Sequence, residues 1–485
     1  MNVKLVLKVL GKSLIVEALV MLIPLITGIC FGENTYMNFL IPMAILFCIG
    51  MPLACIKPKD NGIYAKEGFL IVSLAWIAFS LFGSLPSVIG REAELSNFAN
   101  AFFETVSGFT TTGSTVLTDV TAISKGAMTW RILTHWLGGM GVLVFVLAIL
   151  PANSTGMMHL FRAESPGPTA SKFIGKMKYT ARVLYGIYIV LTLMETLFLL
   201  AGGIGFYDSL MTAFSTAGTG GFSIYNESIA HYNSAYIETV VAVFMFIFSI
   251  NFSVFYLILI GGFKKAIKNE ELRIFFFIIL FATLIIALNI MNSVGGFISA
   301  LRYAFFQVAS ISSTTGFVTA NYDTWPALSK VVLFLLMFMG ACGGSTGGGL
   351  KVSRCAILVK SGLAETKKMF FTRSVITLKF ENKPLQKETV SHVRTFFIMY
   401  VLIILLSTLL LSIDSFGGGD VMTHFSASLT CISNVGPGFN AVGPVCNFAG
   451  YSAFSKSVLS VVMLFGRLEI FPMMILFLPK TWRRS

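Results

Sequence analysis

The sequence predicts an all-α membrane protein, built from two N-terminal spans followed by four divergent copies of one helix–short helix–helix unit. Three observations carry this. Only 12% of the residues are charged against 55% hydrophobic, about half the charged fraction of an ordinary soluble domain. Apolar runs recur at or near the roughly 20 residues that cross a bilayer as a helix. A short half-apolar segment followed by a Gly/Thr/Ser loop appears four times in the same place relative to those runs, the signature of an internal repeat.

The first run, Leu14–Phe31, has no small-residue cleavage site and is soon followed by Met37–Ile56, so it reads as a retained helix rather than a signal peptide. Later runs include Leu133–Leu150, Val183–Ala201, Ile237–Ile260, Phe275–Met291, Phe396–Ile413 and Ala453–Leu478, in a total reading of ten spans. The net charge of +13 invites a nucleic-acid reading, but its distribution opposes one. Of 35 Lys and Arg, 28 fall in alternate connections: the N-terminus, 57–66, 162–182, 264–273, 351–394 and the tail. The other connections hold Arg91, Lys125, Arg131, Arg302, Lys330 and Lys456. This is the positive-inside asymmetry, and it predicts both termini in the cytoplasm. Cys usage, seven scattered residues with no CxxC, predicts neither a disulfide framework nor a metal site.

The four loops are Thr110–Ser114, Gly218–Phe222, Ser313–Phe317 and Val435–Phe439. Short helices are expected before them at Asn97–Phe109, Tyr207–Thr216, Phe297–Ser312 and Asp420–Ser433. Aligned on Gly113, Gly221, Gly316 and Gly438, the loops stand 108, 95 and 122 residues apart, room for one helix out, a connection, one helix back and one short helix. The implied organisation is 1–62 for the N-terminal pair, then repeats at 63–152, 153–264, 265–364 and 365–485. In lipid every backbone N–H and C=O needs a partner, so a non-helical loop at membrane depth survives only inside protein or beside a wet cavity. A single Gly/Thr loop is commonly helix packing or a turn. Four at matching places point to a shared central pore, where inward carbonyls replace a cation's hydration shell and glycine permits the backbone angles that aim them.

FFETVSGFTTTGST (102–115), STAGTGGFS (215–223), SSTTGF (312–317) and SNVGPGF (433–439) together resemble the filter loops of the K⁺ transporter superfamily that includes bacterial Trk and Ktr and plant HKT proteins. The two extra N-terminal spans make the chain most similar to the TrkH branch, and the resemblance covers essentially the whole chain. It implies four helix–pore-helix–helix repeats and a K⁺ filter formed by Thr111, Thr112, Gly113, Gly220, Gly221, Thr314, Thr315, Gly316, Val435, Gly436 and Gly438. K⁺, the transported ion, would be held at Thr111, Thr112, Gly220, Thr314, Thr315, Val435 and Gly436. In this superfamily Ser in place of the first glycine accompanies Na⁺ transport; glycine at all four positions favours K⁺.

Six glycines in residues 340–349 are incompatible with a stable helix, each costing about 1 kcal/mol against Ala. A phosphate-binding loop fails because Leu350 separates Gly349 from Lys351 and no strand precedes it. The alternatives are a plain helix break or, as the resemblance implies, an intramembrane gate formed by Gly343, Gly344, Ser345, Thr346, Gly347, Gly348 and Gly349 below the filter. Arg467 lies deep in the last apolar run, where a charge is a functional hypothesis by default. Two readings stand: a pore-lining electrostatic barrier, as the resemblance implies, or an ion pair with Glu469 or another carboxylate. Glu104, on the first short helix, reads as a brace; Glu17 and Glu195 read as interhelical partners or proton-coupling groups.

The connection 351–394 holds ten basic residues, suited to anionic lipid or to a soluble partner. The resemblance implies a cytosolic ring of nucleotide-binding regulatory subunits of TrkA type, a homodimer and the bacterial inner membrane. No nucleotide site, nucleophile–base motif or metal cluster is legible, so this chain is expected to bind no nucleotide and not to be an enzyme. The rivals are an H⁺- or Na⁺-coupled K⁺ symporter, a Na⁺-permeable relative, and a membrane enzyme that uses the Gly-rich run for a phosphate ligand.

Overall fold

The computed structural model describes residues 2–58, 64–141, 177–371 and 377–479. Part of the expected 133–150 span, the basic connection up to residue 176, the boundaries 62/63 and 152/153, and the tail from 480 lie outside them. Six described helices are long and apolar enough to cross a bilayer, or seven with one bent pair. The described strands are one two-residue hairpin, Lys379–Phe380 with Lys383–Pro384. The chain is therefore an all-α, multi-pass membrane protein.

The N-terminal helix Val3–Val20 continues as Leu22–Cys30 after a one-residue break at Met21 and packs along Tyr36–Ala54. Glycines set that approach. A Cβ on Gly11 would lie 2.5 Å from the Ala54 nitrogen and 2.7 Å from the Gly50 carbonyl oxygen, and one on Gly50 would lie 2.9 Å from the Gly11 oxygen. In lipid, where apolar side chains gain nothing by leaving the solvent, such backbone contact is what joins helices.

Four sets of helices follow. The short helices run Phe98–Phe109, Phe206–Gly218, Phe297–Ser312 and Val421–Ser433, within about two residues of the expected bounds. Their N-termini are capped where the sequence offers a cap: Asn97 accepts from Ala99 N–H, and Asp420 from Met422 and Thr423 N–H. Their first-helix partners are Ala65–Gly83, Met177–Ala201, Glu270–Ile290 and Lys387–Leu411.

The second helices depart from the expectation. The runs 237–260 and 453–478 read as single spans, but both are broken. Ala235–Phe248 and Phe252–Leu259 meet at 89°, and the Asn251 side chain caps the second piece by accepting from Ser253 N–H. Ala453–Arg467 stops before Glu469 and Ile470, both with positive φ (58° and 61°), and Phe471–Phe477 restarts with Pro472 in its first turn. In the third set Ala327–Met339 ends at Gly340, and a buried glycine-rich segment separates it from Val352–Phe370. The first set's Lys125–Gly139 ends just before the limit of the described residues. Hydrogen bonds join helices within and between the sets: Trp130 Nε1 donates to Gly83 O (2.8 Å) inside the first, and Ser73 Oγ to Pro472 O (2.7 Å) links the first to the fourth.

Gly11→Leu is expected to lower the unfolding midpoint of the detergent-solubilised protein by several degrees. Gly186→Leu, on a helix where a Cβ meets nothing within 4 Å, should leave it unchanged or raise it, since Leu is the better helix former. Thermal scans of the two variants check the pair.

Candidate ion pathway

All four short helices end in the same way. The first or second residue after the helix takes the left-handed conformation: Thr111 (φ 54°), Thr219 (53°), Thr314 (62°) and Asn434 (54°). The next N–H then returns five residues back: Thr112 to Ser107 O (2.9 Å), Gly220 to Ser215 O (3.0 Å), Thr315 to Ser310 O (2.9 Å) and Val435 to Thr430 O (2.9 Å). This is a Schellman closure, but without the usual glycine. A left-handed residue with a Cβ costs about 1–2 kcal/mol, and for β-branched Thr it is a real outlier. Strain of this kind persists only where the surroundings over-determine it.

The surroundings are the other three loops. Two residues after each left-handed position stands a glycine with positive φ: Gly113 (82°), Gly221 (78°), Gly316 (84°) and Gly436 (99°). A Cβ on Gly113 would strike the Gly220 carbonyl oxygen, on Gly221 that of Thr315, on Gly316 that of Val435, and on Gly436 that of Thr112 (2.6 Å). The order runs first to second to third to fourth and back to first. Four loops therefore stand around one axis, with the carbonyls of Thr112, Gly220, Thr315 and Val435 at equivalent stations.

This geometry corrects the alignment of the fourth loop. Its equivalent glycine is Gly436, 120 residues after Gly316, and not Gly438. Gly438 lies outside the ring as a brace: its N–H donates to Val442 O (2.7 Å) and its carbonyl accepts from the Tyr322 hydroxyl (3.0 Å).

On one side of the ring is a vestibule of about 150 Å³ lined by all four ring glycines together with Ser114, Arg131 and Asn447 among others. On the other side the glycine-rich segment is pressed against the ends of the short helices. Gly348 N–H donates to Thr314 Oγ1 (2.7 Å), and a Cβ on Gly347 would sit 2.7 Å from Ser313 O. A Cβ on Gly348 would strike Ser433 O. Only glycine backbone passes so close. Thr346 Oγ1 donates to Phe248 O (3.1 Å), so the segment also occupies the break of the second set. Gly344 O accepts from Phe252 N–H (3.0 Å), and Ser345 Oγ turns back to Cys342 O (2.6 Å). Gly349 (φ 74°) lies against Gly340, 2.8 Å from a Cβ to the Gly340 Cα. Glu271 fastens the segment at both ends, one carboxylate oxygen accepting from Gly343 N–H (2.8 Å) and Ser353 N–H (3.0 Å). Lys351 Nζ donates to Gly347 O.

Arg467 meets the ring and the segment together. Its guanidinium donates to Thr111 Oγ1 (3.1 Å), Thr346 O (2.7 Å), Gly139 O (2.8 Å) and Gly138 O. The last two are carbonyls at the C-terminal end of Lys125–Gly139, the negative end of that helix dipole. Glu469, the nearest counter-ion in sequence, pairs with Arg354 (2.5 Å). Glu104 braces the first loop, accepting from Thr115 Oγ1 (2.8 Å) and Val116 N–H (2.9 Å). Sequence reasoning missed Asn251, Glu271 and His135. His135 is buried, its Nδ1 donating to Gly108 O (2.7 Å) and its ring stacked 4.1 Å from the Phe222 ring. The partners of Glu271 and His135 lie far along the chain, and Asn251 caps a helix start hidden inside an apolar run, so no local pattern marks them.

The fold and the ring define an all-helical membrane protein with four re-entrant loops on a common axis. Residues 35–484 match the family model described as "TrkH: Cation transport protein", and the chain belongs to that family. It is 33% identical over 490 residues to the Trk system potassium uptake protein TrkH of Escherichia coli (strain K12), with all of both chains covered. It is 31% identical to TrkG of the same organism over 99% of each chain. Its structure matches the crystal structure of the potassium transporter TrkH from Vibrio parahaemolyticus with a TM-score of 0.89 at 31% identity, over the full length of both.

Gly436→Ala should destabilise the detergent-solubilised protein more than Gly438→Ala. Gly436 combines φ 99° with a Cβ collision on a backbone oxygen, whereas the atoms that Gly438 meets at 2.9 Å are the Ser426 and Val442 side chains. Their thermal midpoints test the register directly.

Proposed function

We propose that this chain carries K⁺ into the cell through the ring, which acts as a carbonyl selectivity filter, and that the glycine-rich segment with Arg467 is its gate. The observation that carries the reading is the closed order in which each ring glycine abuts the carbonyl of the next loop. Such a ring offers a cation inward oxygens in place of water. The filter residues are Thr111, Thr112 and Gly113; Gly220 and Gly221; Thr314, Thr315 and Gly316; and Val435 and Gly436. Gly438 supports them from outside. Relatives named for potassium uptake, similar over their full length, support K⁺ as the substrate, and a transport role rather than an enzymatic one follows from that. The four repeats, at 63–152, 153–264, 265–364 and 365–485, are part of the same reading.

The gate reading rests on position. Gly343–Gly349 lies directly beneath the ring, and a guanidinium held there opposes a cation by unscreened repulsion in a low-dielectric setting. Opening requires the segment to leave Thr314 and Arg467 to leave Thr346. Glu271 then acts as a latch, because one carboxylate holds both ends of the segment. The positive-inside asymmetry supports placing both termini in the cytoplasm, the segment on the cytoplasmic side of the ring, and the chain in the bacterial inner membrane. The basic connection 351–394 would meet the cytosolic nucleotide-binding ring of TrkA type, with two copies of this chain as a homodimer.

The test is ⁸⁶Rb⁺ uptake into KCl-loaded proteoliposomes with no proton or sodium gradient. Uptake competed by external K⁺ and barely by Na⁺ is expected, and Gly113→Ser should shift the competition towards Na⁺. Arg467→Ala and Glu271→Ala should each raise the flux several-fold in protein that remains monodisperse. Dependence of uptake on an imposed proton or sodium gradient, even with the gate removed, would establish the coupled symporter instead. Unchanged or lower flux in both variants would remove the obstructive role of the segment.

A further inference from the structure

The junction between the first and second loops differs from the other three. Glu104 lies seven residues before left-handed Thr111; the same station in the other short helices holds Thr212, Gln307 and Ala427. Only the first carries a charge, and Arg131 answers it, with Nε 2.6 Å from Glu104 Oε1 and the two side chains 5% and 4% exposed. The pair reaches into both loops. Glu104 accepts from Thr115 and Val116 just beyond Gly113. Arg131 donates to Ser223 O (3.2 Å) just beyond Gly221, and its guanidinium lies 3.5 Å from the centre of the Phe222 ring. Among the described residues no other junction has an ion pair bonded to both loops: the contacts are Val318 N–H to Ser228 Oγ (3.2 Å), Tyr322 hydroxyl to Gly438 O (3.0 Å), Asn440 N–H to the Asp323 carboxylate (3.1 Å) and Phe448 N–H to Thr115 O (2.8 Å), while the Arg302–Glu238 pair (3.1 Å) joins helices of the second and third sets.

The second observation is where the guanidinium lies. Arg131 lines the vestibule outside the ring, on the route of an approaching cation. An unpaired positive charge there would repel the substrate, and a paired one is nearly silent.

We propose that the Glu104–Arg131 pair is a positioning and charge-balancing device at the mouth of the pathway. It holds the first two loops in register, and it cancels a guanidinium that the register requires. Charge-assisted bonds from one buried pair to both loops set this junction apart from the others, so ion discrimination depends most on this side of the ring. The proposal rests on the filter reading above.

Charge and geometry separate in a set of four variants, measured by ⁸⁶Rb⁺ uptake for the KM of Rb⁺ and for the K⁺/Na⁺ competition ratio. E104Q leaves the guanidinium uncompensated and should raise KM about threefold or more, the factor one unit charge a few ångströms away exerts in a water-like dielectric. R131Q should leave KM at or below the wild-type value. The double variant E104Q/R131Q should return KM to near wild type. R131K keeps the charge but lacks the planar fork that reaches Glu104 and Ser223 together, so it should keep KM while lowering the K⁺/Na⁺ ratio several-fold. E104Q and R131Q should lower the ratio too. If both single variants raise KM alike, or if the ratio is unchanged throughout, the proposal is overturned. The double variant and R131K decide the matter should a single variant fail to fold. A wild-type protein that shows no K⁺ preference would instead sink the filter reading itself.

Discussion

The structure depends on one constraint: non-helical backbone inside a bilayer must be satisfied by protein. Each short helix stops halfway, and its last carbonyls and the loop beyond have no water to fall back on. The solution is mutual. Every loop closes its own helix end with a left-handed residue, then lays a glycine against the carbonyl of its neighbour. No loop could hold this shape alone, because three of the four left-handed residues are threonines. The ring exists only when all four loops are present, and one chain of four units guarantees that.

The same constraint organises what lies beneath. The second helices of the second, third and fourth sets are interrupted near the ring, and the break in the second set leaves backbone groups to be satisfied. The glycine-rich segment fills that space and supplies the partners: Ser249 O accepts from Cys342 N–H (3.2 Å), and Phe252 N–H reaches Gly344 O. Arg467, itself expensive in an apolar setting, is solvated by helix-end carbonyls and by Thr111. Ring, segment and arginine therefore form one hydrogen-bonded body, so a displacement of the segment is felt at Thr111 and Thr314 within the loops themselves.

Most of this architecture was legible in the sequence, because hydropathy and the Gly/Thr loops are local signals. The short helices, the odd glycine-rich segment and the depth of Arg467 all follow from such signals. The fourth loop was misread for a physical reason. Aligning Gly-Phe pairs matches Phe222, Phe317 and Phe439, which are buried alike at 2%, 1% and 3% exposure, but the fourth loop takes two extra residues, Pro437 and Gly438, to reach its phenylalanine. The better signal is the Schellman closure itself. Ser107, Ser215, Ser310 and Thr430 each stand four residues before the left-handed Thr or Asn and six before the ring glycine, a pattern that Gly438 does not fit. The break within 237–260 is not legible, since that run is apolar almost throughout and its bend is set by contacts with the 340–349 segment. Glu271 was invisible for the same reason, and His135 because its partners, Gly108 and Phe222, lie on other elements.

The central claim is that the four loops form one cation site. Crystals or vitrified particles prepared in Rb⁺ or Tl⁺ salts test it most directly, through anomalous or difference density. The account predicts a peak on the axis between the carbonyl oxygens of Thr112, Gly220, Thr315 and Val435, weakened or lost when Na⁺ replaces the heavier ion. An empty axis with density elsewhere, or an equal peak in Na⁺, would contradict it.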